Sequence, residues 1–254
     1  MELSWLKNYN LLIFDQIDST NSEAIRLARA GIIGNFVIWS DKQTNGRGQR
    51  SRRWESLEGN LHMSILLDCE EDVDIRHWSQ LSFVAANGLY ETIVFFALKQ
   101  KLKLDIALKW PNDVLINQKK VAGILLESIG VANKKYVIVG IGVNTLHYPR
   151  NLIRSVTSLA EEGIYSGSCD EFLNILMIRF DKLYNKWRRH GNFTGVRNDW
   201  LSRAYKLHKV ITVDNGLQRM SGIFKSISMD GSIMLELASG EVCSLSSGEI
   251  VAND

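Results

Sequence analysis

Four arginines fall within seven residues of one short, glycine-bearing segment, Gln43-Thr44-Asn45-Gly46-Arg47-Gly48-Gln49-Arg50-Ser51-Arg52-Arg53-Trp54. Guanidinium groups are planar forks that donate paired hydrogen bonds to carboxylate and phosphate. Glycine lets the backbone approach closely whatever the loop encloses. Such a segment suits an anion, but its composition serves equally for a solvated turn or a patch that touches nucleic acid. Three more segments carry useful residue types. Leu108-Lys109-Trp110-Pro111-Asn112-Asp113-Val114 sets a cation and two polar side chains around a proline, although Pro-Asn-Asp is also what a tight turn requires. Lys119-Lys120-Val121-Ala122-Gly123-Ile124-Leu125-Leu126-Glu127 brings lysine to the mouth of an apolar run. Gly123 there marks either a bulge or the rim of a pocket that holds an ammonium. From Val137 to Asn144, glycines alternate with aliphatic residues and leave one strand face bare, as a flat ligand ring needs. This is not a dinucleotide fingerprint, because Thr145 stands where the third glycine belongs and no helix signal follows. Walker loop, zinc spacing and nucleophile elbow are all missing.

The elements that must position these residues read as α+β. A short strand at Leu11–Phe14 leads to Thr20-Asn21-Ser22-Glu23, a capping box in which Thr20 and Glu23 satisfy each other's amides. The helix behind it stops at Gly31, a left-handed cap. Phe36–Ser40 and Leu61–Leu67 are strands, and about Arg76 to Lys99 is one long apolar helix. Turn signals at Pro111-Asn112-Asp113, Asn117-Gln118 and Asn133-Lys134 divide Ala107–Thr145 into antiparallel hairpins. A second capping box, Ser168-Cys169-Asp170-Glu171, opens a helix through Leu183, and another helical piece ends near Ala204. After about Leu207 the texture changes. Short strands at 210–213, 221–227, 233–237 and 242–245 alternate with Asn-Gly, Asp-Gly and Ser-Gly turns, the pattern of a small barrel. The expected organisation is a core over 1–206 and a β module over 207–254.

With 254 residues and 45% of them hydrophobic, the chain has enough apolar mass for a sizeable core. A net charge of +2 excludes a generally basic, nucleic-acid-coating surface, so any basic feature is local. Cys69, Cys169 and Cys243 are far apart with no metal or disulfide spacing, which fits a reducing cytoplasm. No secretory signal is visible at the N-terminus. Leu89–Leu98, interrupted by Glu91 and Thr92, is too short and polar to span a bilayer, so no membrane association is expected. The five histidines sit in no motif.

Taken together and in order, Gly-Arg-Gly-x-x-x-Arg-x-Trp, Lys-Trp-Pro-Asn-Asp, Lys-Val-Ala-Gly-Ile-Leu and Gly-Ile-Gly-Val-Asn resemble the biotin–protein ligase family. Asp18-Ser19-Thr20-Asn21 and Thr157-Ser158-Leu159 extend the match, and Ser247-Gly248-Glu249-Ile250 continues it weakly. The resemblance implies a catalytic core like that of class II aminoacyl-tRNA synthetases, followed by an SH3-like barrel. It implies that biotin carboxylate attacks the α-phosphate of ATP, with Mg²⁺, to give biotinyl-5′-adenylate. A lysine of a biotin carboxyl carrier domain then takes the biotin.

By the same resemblance, Arg47 contacts the biotin carboxylate and adenylate phosphate, with Gly46 and Gly48 allowing close approach. Lys120 sits at the carboxylate–phosphate junction, and Lys109 faces the phosphates. Ser19, Thr20 and Gln43 hydrogen-bond the ureido ring, while Gly123, Gly140 and Gly142 wall the slot. Arg50, Arg52, Asn112, Asp113 and Asn144 belong to the ATP and adenylate set. Trp54 joins that set or packs the loop, and Trp110 belongs to the core. No metal ligands are assigned. Two positions depart from the family loop: Gln49 replaces a common Arg, and Ser51 a common Gly. A missing cation implies a looser hold on the adenylate, and a missing glycine a locally different loop path. The strand signals begin at Leu11, leaving no room for the DNA-binding helix-turn-helix that some relatives carry, so no DNA partner is expected. Monomer and homodimer both remain open. The rival readings are a lipoate–protein ligase and a non-catalytic RNA-binding synthetase relative, the latter betrayed by steeply salt-dependent RNA affinity.

Overall fold

A computed structural model describes residues 4–69, 75–150, 155–165, 167–190 and 193–251. Strands β1 (Tyr9–Ile17) and β2 (Asn35–Gln43) run parallel, joined by helix α1 (Thr20–Arg29). The chain then adds β3 (Leu61–Cys69), a 3-10 turn at Ile75–Gln80 and α2 (Leu81–Lys99). Hairpin-linked β4 (Ile106–Lys109), β5 (Asp113–Ile116), β6 (Lys119–Val131) and β7 (Lys134–Val143) complete a seven-stranded sheet ordered β1-β2-β3-β7-β6-β5-β4. Every pair except β1/β2 is antiparallel. The predicted hairpin turns are present: Asn117 and Gln118 both take positive φ (49° and 65°), as a tight two-residue connection requires.

Helices cover both faces of this sheet. On one, Ala24 and Ala28 bring α1 down onto Ile38, Leu66 and Ile138; their small side chains let the helix lie close. On the other, α2 packs with α3 (Cys169–His190) and α4 (Phe193–Ser202). With both faces covered, β3 and β7 read as nearly continuous apolar runs rather than alternating ones. The segment His77–Lys99 is longer than the apolar stretch recognised in the sequence and is by composition long enough to cross a membrane. However, most of its apolar stretch is buried inside the fold, as expected of a core helix that is apolar all round. The single helix expected from Arg76 instead begins as the 3-10 turn. Gln80, at the junction, accepts from Trp187 Nε1 (2.7 Å) and donates to Met229 O (2.8 Å).

The remaining strands, β8 (Val210–Asp214), β9 (Arg219–Ile227), β10 (Ile233–Glu236), β11 (Val242–Leu245) and β12 (Glu249–Val251), form a five-stranded antiparallel sheet ordered β11-β10-β9-β8-β12. Its inner residues Ile211, Phe224, Ile233 and Leu235 belong to the same hydrophobic cluster as α2 and α4. The Trp110 indole is 2% exposed and donates to Gly231 O at 3.0 Å. It is therefore a core residue, as expected, and it joins the two sheets.

Candidate active site

A cavity of about 570 Å³ opens between the sheet, the start of α1, the arginine loop and the rim of the second sheet. That size suits a small-molecule ligand. Sixteen of the seventeen predicted site residues line it: Ser19, Thr20, Gln43, Arg47, Gly48, Arg50, Arg52, Trp54, Lys109, Asn112, Asp113, Lys120, Gly123, Gly140, Gly142 and Asn144. Gly46 stands apart. A Cβ there would meet Trp54 O at 2.6 Å and Ser56 Oγ at 2.8 Å, so its small size serves the packing of the loop on itself.

The polar end of the cavity is a connected network. Gln43 Oε1 accepts from Thr20 N (2.9 Å) and Thr20 Oγ1 (3.2 Å), while its Nε2 donates to Ser56 Oγ (2.9 Å). Ser64 Oγ reaches Thr20 Oγ1 (2.7 Å) and Asn21 Oδ1 (2.5 Å). Asn21 Nδ2 donates to Glu127 Oε2 at 2.7 Å, and Arg47 Nη2 donates to the same oxygen at 2.7 Å. The predicted capping box at Thr20 does not form. The N-cap is Ser19, no cap side chain bonds the helix, and Glu23 pairs with Arg26 (2.6 Å). Gln43, reaching across from β2, accepts the amide that a cap would have taken. Arg26 also chelates Asp18, holding its carboxyl down at about 2, and Asp18 Oδ1 accepts from Ser19 N. At α3 half of the expected box is present: Ser168 Oγ accepts from Glu171 N (3.2 Å), but Glu171 turns to Lys99 (3.1 Å).

The glycines of β6 and β7 are not bare, contrary to the sequence reading. Gly123 and Gly142 face each other across the strands, and the Trp54 indole lies over both. A Cβ on Gly142 would meet Trp54 Cε2 at 2.5 Å, and one on Gly123 would meet Cζ3 at 3.2 Å. A Cβ on Gly140 would collide with Asn21 Oδ1. Cross-strand glycines left a slot, and an aromatic ring and an amide of the chain itself fill it.

The loop is tied down along its length. Trp54 N donates to Gly46 O (2.9 Å), Gly48 N to Arg52 O (2.7 Å) and Arg53 Nη2 to Thr44 O (3.1 Å). Two contacts reach the second sheet: Arg52 pairs with Glu249 (2.9 Å), and Arg50 Nη2 donates to Asp214 O (3.2 Å). Ser51 takes φ 59° and Arg50 φ 56°, left-handed values that disfavour L side chains. The loop thus turns as a glycine would turn it, and the absent glycine is felt as strain.

Lys120 Nζ lies 2.5 Å from Asp113 Oδ1 and 5.6 Å from the centre of a Trp54 ring. Near this ion pair, Arg47 Nε and Trp54 Nε1 are buried with no hydrogen-bond partner among the described residues. Buried polar atoms are rarely left this way, and two of them in one cavity mark where a polar ligand belongs. The two asparagines expected at the adenylate have committed amides: Asn112 Nδ2 donates to Ile124 O (2.6 Å) and Asn144 Nδ2 to Thr157 O (3.0 Å). Sequence reasoning missed Asn21, Ser64, Glu127 and the Gly248-Glu249 rim. Asn21 and Glu127 stood inside quoted motifs, whereas Ser64 had no signal within its apolar strand.

The profile of the biotin/lipoate A/B protein ligase family matches residues 13–144. The chain belongs to this family. Within it, the chain is 36% identical over 230 residues to the biotin–[acetyl-CoA-carboxylase] ligase of Paracoccus denitrificans, covering 88% of this chain and 92% of the relative. It is 31% identical to the bifunctional ligase/repressor BirA of Bacillus subtilis, over 91% of this chain and 70% of BirA. Among solved structures it resembles the Aquifex aeolicus biotin protein ligase in complex with biotin and ATP, with TM-score 0.78 and 27% identity over 95% of this chain and 97% of the other.

Proposed function

We propose that this chain is a biotin–protein ligase that activates biotin with ATP and transfers it to a lysine of a biotin carboxyl carrier domain. The observation that carries this reading is the cavity itself, which brings the hydrogen-bonding side chains of Ser19, Thr20 and Gln43 together with Arg47, Lys120 and Lys109. A ureido ring presents two N–H donors and a carbonyl acceptor, which Ser19, Thr20 and Gln43 can meet. A dithiolane ring has no such groups and would leave buried polar atoms unmatched, so the cavity favours biotin over lipoate.

In the first step a biotin carboxylate oxygen attacks the α-phosphorus of ATP, and the bond to pyrophosphate breaks. Two anions must meet, and fixed cations offset their repulsion. Arg47, held by Glu127, takes the carboxylate and the developing phosphate charge, and Lys120 follows the charge at the junction. Arg50, Arg52, Asn112, Asp113, Asn144 and Trp54 form the nucleotide side, and Gly123, Gly140 and Gly142 make room for the Trp54 ring and the Asn21 amide at the cavity wall. In the second step the carrier lysine, as its free amine, attacks the carbonyl carbon; AMP departs and the amine gives up a proton. Among the described residues no group of three His, Cys, Asp or Glu side chains is placed to hold a metal. Mg²⁺ would arrive with ATP, since that ion is commonly held by one or two carboxylates together with substrate phosphates. Asp113 would be the carboxylate that holds it, and the ion would offset phosphate charge.

The finer fold reading is a synthetase-like core over 1–206 and an SH3-like barrel over 207–254, supported by the five short antiparallel strands. Free, unpaired cysteines support a cytoplasmic location. Labelled biotin, ATP and Mg²⁺ with a purified carrier domain test the function: wild type labels one carrier lysine, and Arg47→Ala lowers the rate roughly 10²–10³-fold. Transfer of lipoate instead of biotin would overturn the assignment.

A further inference from the structure

The segment 155–162 lies outside the predicted site residues, yet it fixes one of them. Lys120 N donates to Ser155 O (3.0 Å) and Thr157 N donates to Lys120 O (2.9 Å). Residues 155–157 thus run beside Lys120 as a short parallel strap, bridged at Val156. At the same place β5 and β6 slip in register: Val114 faces Ala122, but Leu115 faces Lys120, leaving Val121 as the extra residue. A bulge re-aims the side chains around it, so the strap is what holds the lysine's backbone where the β5/β6 register breaks.

One carboxylate fastens that strap. Glu162, whose side chain is 6% exposed, accepts from Thr157 Oγ1 (2.7 Å), Lys119 Nζ (2.9 Å) and Asn117 Nδ2 (2.6 Å). It binds the strap to the β5–β6 turn, whose Asn117 is also anchored by its N–H to Asp105 O (2.8 Å). From the other side, Asn144 Nδ2 holds Thr157 O (3.0 Å), and Leu159 N donates to Asn144 O (2.8 Å). The strap is therefore pinned at Thr157 by a site asparagine and by Glu162, and both pins bear on Lys120. The network holds Glu162 in its charged form, below the usual carboxylate range against the opposing effect of burial.

We propose that Glu162, acting through Thr157, is a positioning residue for Lys120: it touches no substrate and sets the ammonium at the carboxylate–phosphate junction. This rests on the ligase reading of Lys120, and the test separates the two. Single-turnover adenylate formation from radiolabelled ATP and biotin is measured for wild type, Glu162→Gln, Lys120→Ala and the double variant, with melting temperatures alongside. Failure of wild type to form adenylate would refute the ligase reading. Given an active wild type, Glu162→Gln should slow adenylate formation about tenfold, because small misplacements of a catalytic group are costly. In the Lys120→Ala background the same change should cost nothing further, since residues acting as a unit are not additive. Thr157→Val, nearly isosteric, should repeat both results and serves if Glu162→Gln does not fold. An equal loss in both backgrounds, or none in the wild-type background, overturns the proposal.

Discussion

Gly140→Ala tests how the cavity is built. The added methyl would strike Asn21 Oδ1, and Asn21, 4% exposed, is held in the network at the cavity wall. To clear it the amide must rotate out of two hydrogen bonds, one from Ser64 Oγ (2.5 Å) and one to the charged Glu127 Oε2 (2.7 Å). A neutral bond contributes about 0.5–1.5 kcal/mol and one to a charged group about 1.5–3, so the rotation costs about 2–4 kcal/mol. The loss would fall on the ligand site as well as on folding, because Ser64 also holds Thr20 and Glu127 also holds Arg47. At about 1.4 kcal/mol per tenfold, biotin binding should weaken by roughly thirty- to several-hundredfold. Calorimetric titration with biotin, beside a thermal melt, reads both effects. In an Asn21→Ala background the methyl has nothing to strike, and Gly140→Ala should then cost little. Wild-type affinity and melting point in the single variant, or an equal penalty in both backgrounds, would show that the Asn21 network does not support the site.

Gln49 lines the cavity in the arginine loop, and Gln49→Arg restores the family's common cation there; release of biotinyl-adenylate should slow by about tenfold, on the order of 1 kcal/mol for one added charged contact, and unchanged release would dismiss the effect. Ser51→Gly should relieve about 1–2 kcal/mol of left-handed strain against about 0.5–1 kcal/mol of glycine entropy. The net is a melting point higher by roughly 1–3 °C, and a lower one would contradict it. His62 is 1% exposed, and burial pushes its imidazole down to about 4 from 6.5. The unfolded chain takes up that proton below 6.5 and the folded one does not until about 4. Stability should therefore drain away as pH falls through that window, by up to about 3 kcal/mol. Urea midpoints at neutral and acid pH should show His62→Gln losing less than wild type, and parallel losses would refute this.

Much of the protein was legible from its residues. The hairpins of β4–β7 and most of the second sheet were visible because turns are encoded locally: Asn117-Gln118 and Asn215-Gly216 announce themselves within a few residues. The expectation of an anion site came from four motifs in order, since the arginine loop alone serves a solvated turn equally well. The sequence could not decide who satisfies whom across the fold. Thr20 reads as a helix cap with a partner three residues on, yet its amide goes to Gln43, 23 residues away on a parallel strand. Gly123 and Gly142 read as open walls, yet the register of β6 against β7 stacks them under Trp54. Glu127 joins Asn21, 106 residues distant, to Arg47, and Glu162 secures the strap beside Lys120. Local patterns fix turns and faces because neighbours along the chain always meet. Pairings over such separations exist only once long-range register is set, and only tertiary structure sets it.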